Sequence, residues 1–135
     1  MARVVDSSVI IKWFVDEGDG AGAVALIGTA LVAPELVLAE VGNALWKKWR
    51  RGEIQAEQVR AATSFVSSFV GILSCQPVAD LALEIALDLD HPVYDCYFLA
   101  MAGELNTQLL TYDRRLMLKC ADSKYGQHIE YLGKV

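Results

Sequence analysis

Four acidic residues, Asp6, Glu40, Asp95 and Asp113, stand where simple solvation explains them poorly. Asp6 ends the apolar run Arg3-Val4-Val5 and is followed at once by Ser7 and Ser8. Asp113 repeats that pattern after Leu110-Thr111-Tyr112. Asp95 falls in the first turn of a helix opened by Pro92, and Glu40 falls inside the apolar stretch Leu36 to Leu45. Asp6 and Asp113 each have a plain alternative as helix caps. Asp95 would gain roughly 0.3–1 kcal/mol from the helix macrodipole. Glu40 has neither excuse: its helical neighbours are Leu36, Val37 and Ala44, so its charge needs a partner or a cation.

The chemistry follows from convergence. Two like charges ~4 Å apart repel by about 4 kcal/mol at an effective dielectric of ~20, so something cationic must offset a cluster of carboxylates. An all-oxygen donor set suits Mg²⁺ or Mn²⁺. Such an ion lowers the pKa of a bound water and steadies a phosphate oxygen. A nucleic acid is then the natural substrate. Zinc does not fit, because His91 and His128 are isolated and the cysteines lack ligand spacing. His91, next to Pro92, reads as a residue leading into a helix rather than a base. The phosphate-loop, dinucleotide and nucleophile-elbow motifs are missing.

The elements that must position these acids can be read in order. Arg3 to Val5 is a strand, Ser8 to Phe14 a helix capped by Ser7 or Ser8, and Asp16 to Gly22 a loop. Ala23 to Thr29 reads as helix and Leu31 to Ala33 as strand. Pro34 opens a buried helix that ends at Gly52. A further helix spans Gln55 to Phe69, and Ile72 to Val78 has strand character. Ala79 to Leu89 is a helix with Leu81, Ile85 and Leu89 on its apolar stripe. The Pro92 helix runs to Leu105 with Tyr94, Phe98, Ala102 and Leu105 inward. Thr107 to Thr111 is a strand, Arg114 to Ala121 a helix, and Ile129 to Leu132 a last strand. Strands alternating with helices predict an α/β fold: three layers, α/β/α, around a mainly parallel sheet. Ligands in such sheets bind beyond the carboxyl ends of the strands, where Asp6 and Asp113 fall.

Residues 1–135 read as one domain, with 54% hydrophobic residues and 21% charged. That apolar balance suits a sheet covered on both faces, an oligomer interface, or both. The longest apolar run is too short to span a bilayer, and no secretory leader is expected. Three cysteines, Cys75, Cys96 and Cys120, read as free thiols, which places the chain in the cytoplasm. The net charge of −5 argues against a nucleic-acid binder. Committing four acids to a metal leaves the remaining surface close to neutral, however. The cations are also grouped: Lys47, Lys48, Arg50 and Arg51 in one run, Arg114, Arg115 and Lys119 in another. Either run is a backbone contact for RNA or a solvated helix face. Trp46 and Trp49 read as packing residues.

At four stretches the chain resembles the PIN-domain ribonucleases, and more narrowly the VapC-type toxins of toxin–antitoxin pairs. These are Val5-Asp6-Ser7-Ser8, Pro34-Glu35-Leu36 through Glu40 to Leu45, Val93-Tyr94-Asp95-Cys96-Tyr97-Phe98-Leu99-Ala100, and Leu110-Thr111-Tyr112-Asp113-Arg114-Arg115-Leu116. The resemblance implies Asp6, Glu40, Asp95 and Asp113 around Mg²⁺ or Mn²⁺, with Asp6 and Asp95 as core ligands. It implies that Glu40 orients the water or the ion, and that Asp113 completes the pocket or supports a second ion. Ser8 and Thr111 match small hydroxyl residues that hydrogen-bond the site. The implied reaction is endoribonucleolytic hydrolysis by metal-activated water, leaving a 5′-phosphate and a 3′-hydroxyl. A homodimer and a small antitoxin partner are implied too. Where many members carry a further acid, this chain has Arg115, which disfavours a second ion and offers a phosphate contact.

Two other functions compete. A receiver-type phospho-acceptor domain is also a small α/β protein with strand-end aspartates. It would need paired acids after the first strand and a lysine after the last, whereas Asp6 is followed by Ser7. A PIN-like scaffold used only for binding RNA or protein would be expected to have lost one of the acids, and all four are present.

Overall fold

The computed structural model describes residues 1–134. Five short strands, β1 (Arg3–Val5), β2 (Leu31–Pro34), β3 (Gly71–Leu73), β4 (Leu109–Thr111) and β5 (Ile129–Tyr131), form one sheet in the order β3-β2-β1-β4-β5. Every pairing is parallel. Seven helices connect and flank them: α1 (Ser7–Phe14), α2 (Ala21–Val24), α3 (Leu36–Arg50), α4 (Ala56–Phe69), α5 (Ala79–Leu89), α6 (Val93–Glu104) and α7 (Arg114–Ala121). The expected α/β/α fold is the observed one. Val4, Val5, Leu109 and Leu110 in the two central strands are wholly buried, as a sheet covered on both faces requires.

The order matters for function. The chain leaves β1 toward β2 and β3, then returns to build β4 and β5 on the other side of β1. The carboxyl ends of β1 and β4 therefore flank the point where winding reverses, the usual ligand crevice of such sheets. Val5 pairs with Leu110, which brings Asp6 level with Thr111.

Several local expectations shift. Asp6 itself caps α1, accepting from the Ser8 and Val9 amides, in place of Ser7 or Ser8. Pro34 closes β2 and pairs with Leu73, so α3 begins at Leu36. Strand character stops at Leu73, and Gln76–Val78 is a 3₁₀ turn. In α3 the wholly buried stripe is Val37, Val41 and Leu45, with Ala39 exposed, so the helix is buried on one side rather than all round. In α5 the inward residues are Ala82 and Ile85, while Leu81 is exposed. In α6 Phe98 and Ala102 point inward as expected, but Tyr94 and Leu105 are exposed. Residues Phe98 to Ala102 are all buried. A helix enclosed on nearly all sides has no single apolar stripe to read. Trp46 and Trp49, expected to pack, are close to half exposed.

Candidate metal and nuclease site

Asp6 anchors the site. It is buried, and hydroxyl groups reach both of its oxygens. Ser8 Oγ donates to Oδ1 at 2.5 Å, where the Ser8 amide also donates at 3.0 Å. Thr111 Oγ1 donates to Oδ2 at 2.5 Å. The two hydroxyls are tied to the next strand in turn. Ser8 Oγ accepts from the Tyr112 amide at 2.9 Å, and Thr111 Oγ1 accepts from the Asp113 amide at 2.9 Å. Asp113 caps α7 by accepting from the Leu116 amide at 3.0 Å. Asp6 and Asp113 thus act as caps and as members of one network. The capping and site readings, alternatives in the sequence, coexist in the fold.

Asp95 is the hub. Its Oδ2 lies 2.7 Å from His91 Nε2. Ligand atoms of His91, Asp95 and Asp113 all fall within 4.8 Å of one another. Asp6 and Glu40 stand outside that trio but feel the same charge. Burial pushes Asp6 up to about 6 against the pull of the Ser8 and Thr111 hydroxyls, and Asp95 pushes it further. Burial pushes Glu40 up to about 7, with Asp95 and then Asp6 adding repulsion and Ser7 opposing. Glu40 is half-buried on the α3 flank. Three carboxylates from β1, α3 and α6 therefore share one electrostatic environment, and a fourth, Asp113, reaches it from the β4 end.

This arrangement fits a hard divalent cation. The donors are carboxylate oxygens, and burial and neighbouring charge hold Asp6 and Glu40 in forms that resist ionisation until a cation offsets them. His91 was not expected at the site. It is buried against Asp95 just ahead of α6. The available signal was its four-residue spacing from Asp95, obscured because Pro92 places His91 outside the helix.

The basic residues divide. Arg114 and Arg115 are exposed directly after Asp113. Lys47, Arg50 and Arg51 are exposed at the far end of α3, with Arg50 over the Trp46 ring at 5.5 Å. Lys48 is partly engaged, 3.7 Å from Glu17. Cys96 and Cys120 are buried and Cys75 partly so, and none is paired, as expected for free thiols. Among the described residues, no helix is long and apolar enough to cross a membrane.

With a parallel sheet whose switch point gathers carboxylates, the comparison with known proteins is specific. The sequence model of the PIN domain matches residues 3–121, and the chain belongs to the PIN-domain family. Its relatives include Ribonuclease VapC3 of Pyrobaculum aerophilum, 33% identical over 124 residues that cover 88% of this chain and 95% of that one. Ribonuclease VapC1 of Mycobacterium tuberculosis is 34% identical over 119 residues, covering 84% and 86%. Two solved structures share the fold. The crystal structure of PAE2754 from Pyrobaculum aerophilum superposes with a TM-score of 0.75 at 24% identity, covering 98% of this chain and 90% of that one. A toxin–antitoxin complex from Klebsiella pneumoniae gives 0.71 at 15% identity, covering 99% and 100%.

Proposed function

We propose that the chain is a single-domain, metal-dependent endoribonuclease of the VapC kind, the toxin half of a toxin–antitoxin pair. The observation that carries this reading is the mutual repulsion of Asp6, Glu40 and Asp95 at the β1–β4 crevice. Folding has spent stability to gather these charges, which makes sense if a cation joins them. Asp6 and Asp95 would hold the ion, and Asp113 completes the acidic rim. Mg²⁺ or Mn²⁺, when bound, supplies charge to steady a phosphate oxygen and acidify water. Ser8 and Thr111 fix Asp6, so that its orientation is set before metal arrives. Glu40 orients the attacking water and accepts its proton. The water oxygen joins phosphorus as the bond to the 3′ oxygen breaks, and the proton ends on that oxygen. The products are a 5′-phosphate and a 3′-hydroxyl. Arg114 and Arg115 would hold the RNA backbone beside the site, with Lys47, Lys48, Arg50 and Arg51 as more distant contacts.

A small antitoxin protein would cover this pocket. A homodimer is supported by Leu83 and Leu87, one turn apart and exposed on the outer face of α5, because large apolar side chains grouped on one face mark an interaction surface. Unpaired thiols support a cytoplasmic setting. The test is cleavage of a mixed RNA pool with Mn²⁺, followed by mapping of the ends. The reading expects fragments with 5′-phosphates that disappear with a chelator. Cleavage that persists in the chelator, or that leaves cyclic phosphates, would contradict it.

A further inference from the structure

One buried polar side chain beside the carboxylates takes no part in the chemistry above. His91 lies just before α6, its side chain 2% exposed, with Nε2 at 2.7 Å from Asp95 Oδ2. Its other nitrogen, Nδ1, is buried and has no hydrogen-bond partner. A proton on Nδ1 would be an unsatisfied donor at a buried position, which costs roughly 1–3 kcal/mol. A bare lone pair there is the cheaper arrangement, since the ring then leaves no N–H unpaired. The ring proton therefore sits on Nε2 and is donated to Asp95.

We infer that His91 is a positioning residue for the cation: its Nε2–H locks one oxygen of Asp95 and aims the rest of the carboxylate at the ion. The inference rests on the metal-site reading above. Two features set its character. First, His91 cannot be a ligand in this arrangement, because Nε2 is occupied by its proton and Nδ1 is buried away from Asp95. Second, the donor is a single directional N–H on a rigid, buried ring. An imidazole N–H orients the carboxylate and leaves its other oxygen for the metal. Outer partners of this kind, when removed, typically cost about 10–100-fold in metal affinity.

The site gives this lock unusual leverage. Asp95 touches the His91–Asp95–Asp113 trio and also perturbs both Asp6 and Glu40. A rotation of its carboxylate would move the one group that all the others share. His91 is also held in place independently of the metal: its amide donates to the Ala86 carbonyl at 3.2 Å, at the end of α5. Asp90, just before it, has a positive φ of 50° and closes that helix. The α5–α6 corner thus fixes the ring from behind.

The experiment compares wild type, His91→Leu, His91→Gln and Asp95→Asn. Mn²⁺ affinity is read by calorimetry, the metal-free fold by circular dichroism, and the wild-type imidazole tautomer by ¹⁵N NMR. Glutamine carries an N–H at nearly the reach of Nε2, so His91→Gln should stay within a few fold of wild type. His91→Leu should lose about 10–100-fold in affinity while its metal-free spectrum stays native. The NMR shifts should show Nε2–H. Unchanged affinity in His91→Leu, equal loss in both His91 variants with native spectra, or an Nδ1–H tautomer would overturn the inference alone. If His91→Leu does not fold, the Gln comparison and the tautomer still decide. Wild type that binds no Mn²⁺ would overturn the metal-site reading itself, and this inference with it.

Discussion

Thr111 donates its hydroxyl to Asp6 Oδ2 at 2.5 Å, and Thr111 Oγ1 in turn accepts from the Asp113 amide at 2.9 Å. One buried side chain thus joins the acid that ends β1 to the acid that follows β4. A hydrogen bond to a charged group contributes roughly 1.5–3 kcal/mol. Thr111→Val keeps the shape but removes the donor and leaves the Asp113 amide unpaired. It should lower the melting temperature and reduce metal-dependent cleavage by at least about tenfold. Thr111→Ser should restore most of both. Calorimetric melting and a cleavage assay on the two variants check this.

The pH dependence of the metal-free protein follows from Asp6 and Glu40. Their ordinary values of 3.8 and 4.5 rise to about 6 and about 7 in the fold, chiefly through burial. The native state therefore holds more protons than the unfolded chain between these limits. The stability they contribute is full below about pH 4 and is lost as pH rises through about 6 and then about 7. Metal-free melting temperature should fall between pH 5 and pH 8, and the fall should shrink in Asp6→Asn. Mn²⁺ affinity should rise over the same interval, because the ion competes with those protons. Melting scans at several pH values, with and without metal, read both effects.

Glu40 separates stability from activity most cleanly. It is half-buried, and both Asp95 and Asp6 repel its charge. Glu40→Gln keeps the volume and removes the repulsion. The metal-free variant should melt higher at pH 8 than wild type, while cleavage falls by about 10²-fold or more, the scale of a lost acid–base group. A variant that melts lower would show that the charge is stabilising and that the cluster is misread.

Distance ranks the basic residues. Arg114 and Arg115 follow Asp113 directly, whereas Lys47 to Arg51 lie seven or more positions beyond Glu40 along α3, about 10 Å or more at 1.5 Å per residue. Reversing Arg114 and Arg115 should weaken RNA binding and reduce the slope of affinity against salt by about one to two. Reversing Lys47, Arg50 and Arg51 should have a smaller effect. Equal slopes for all variants would mark both runs as solvated faces. Binding is best measured with Asp95→Asn to prevent cleavage.

How much of this was legible depended on the kind of signal. Asp6 and Asp113 were visible because a strand end followed by a cap residue is local, and parallel winding carries both to one edge. Glu40 was visible because a charge among Leu36, Val37 and Ala44 has no cheap explanation. The facing of α6 was not legible. Tyr94 and Leu105 share a spacing with Phe98 and Ala102, yet enclosure of Phe98 to Ala102 on several sides erases the stripe that periodicity relies on. His91 was hidden for another reason. Its place at the site depends on a contact made across Pro92 and on the burial of Nδ1, and composition does not report either. The split among the cations likewise needed geometry: Lys48 is drawn to Glu17 by the fold of the α1–α2 loop.

The proposed function stands or falls with Asp95 and its neighbours as the residues that would hold a divalent ion for RNA cleavage. The most direct measurement is a Mn²⁺ titration of cleavage and of calorimetric binding, wild type beside Asp95→Asn, on one RNA pool. Wild type should show saturable binding and cleavage, and Asp95→Asn should lose both while remaining folded. Cleavage of equal rate in Asp95→Asn, or wild-type cleavage that ignores the metal, would contradict it.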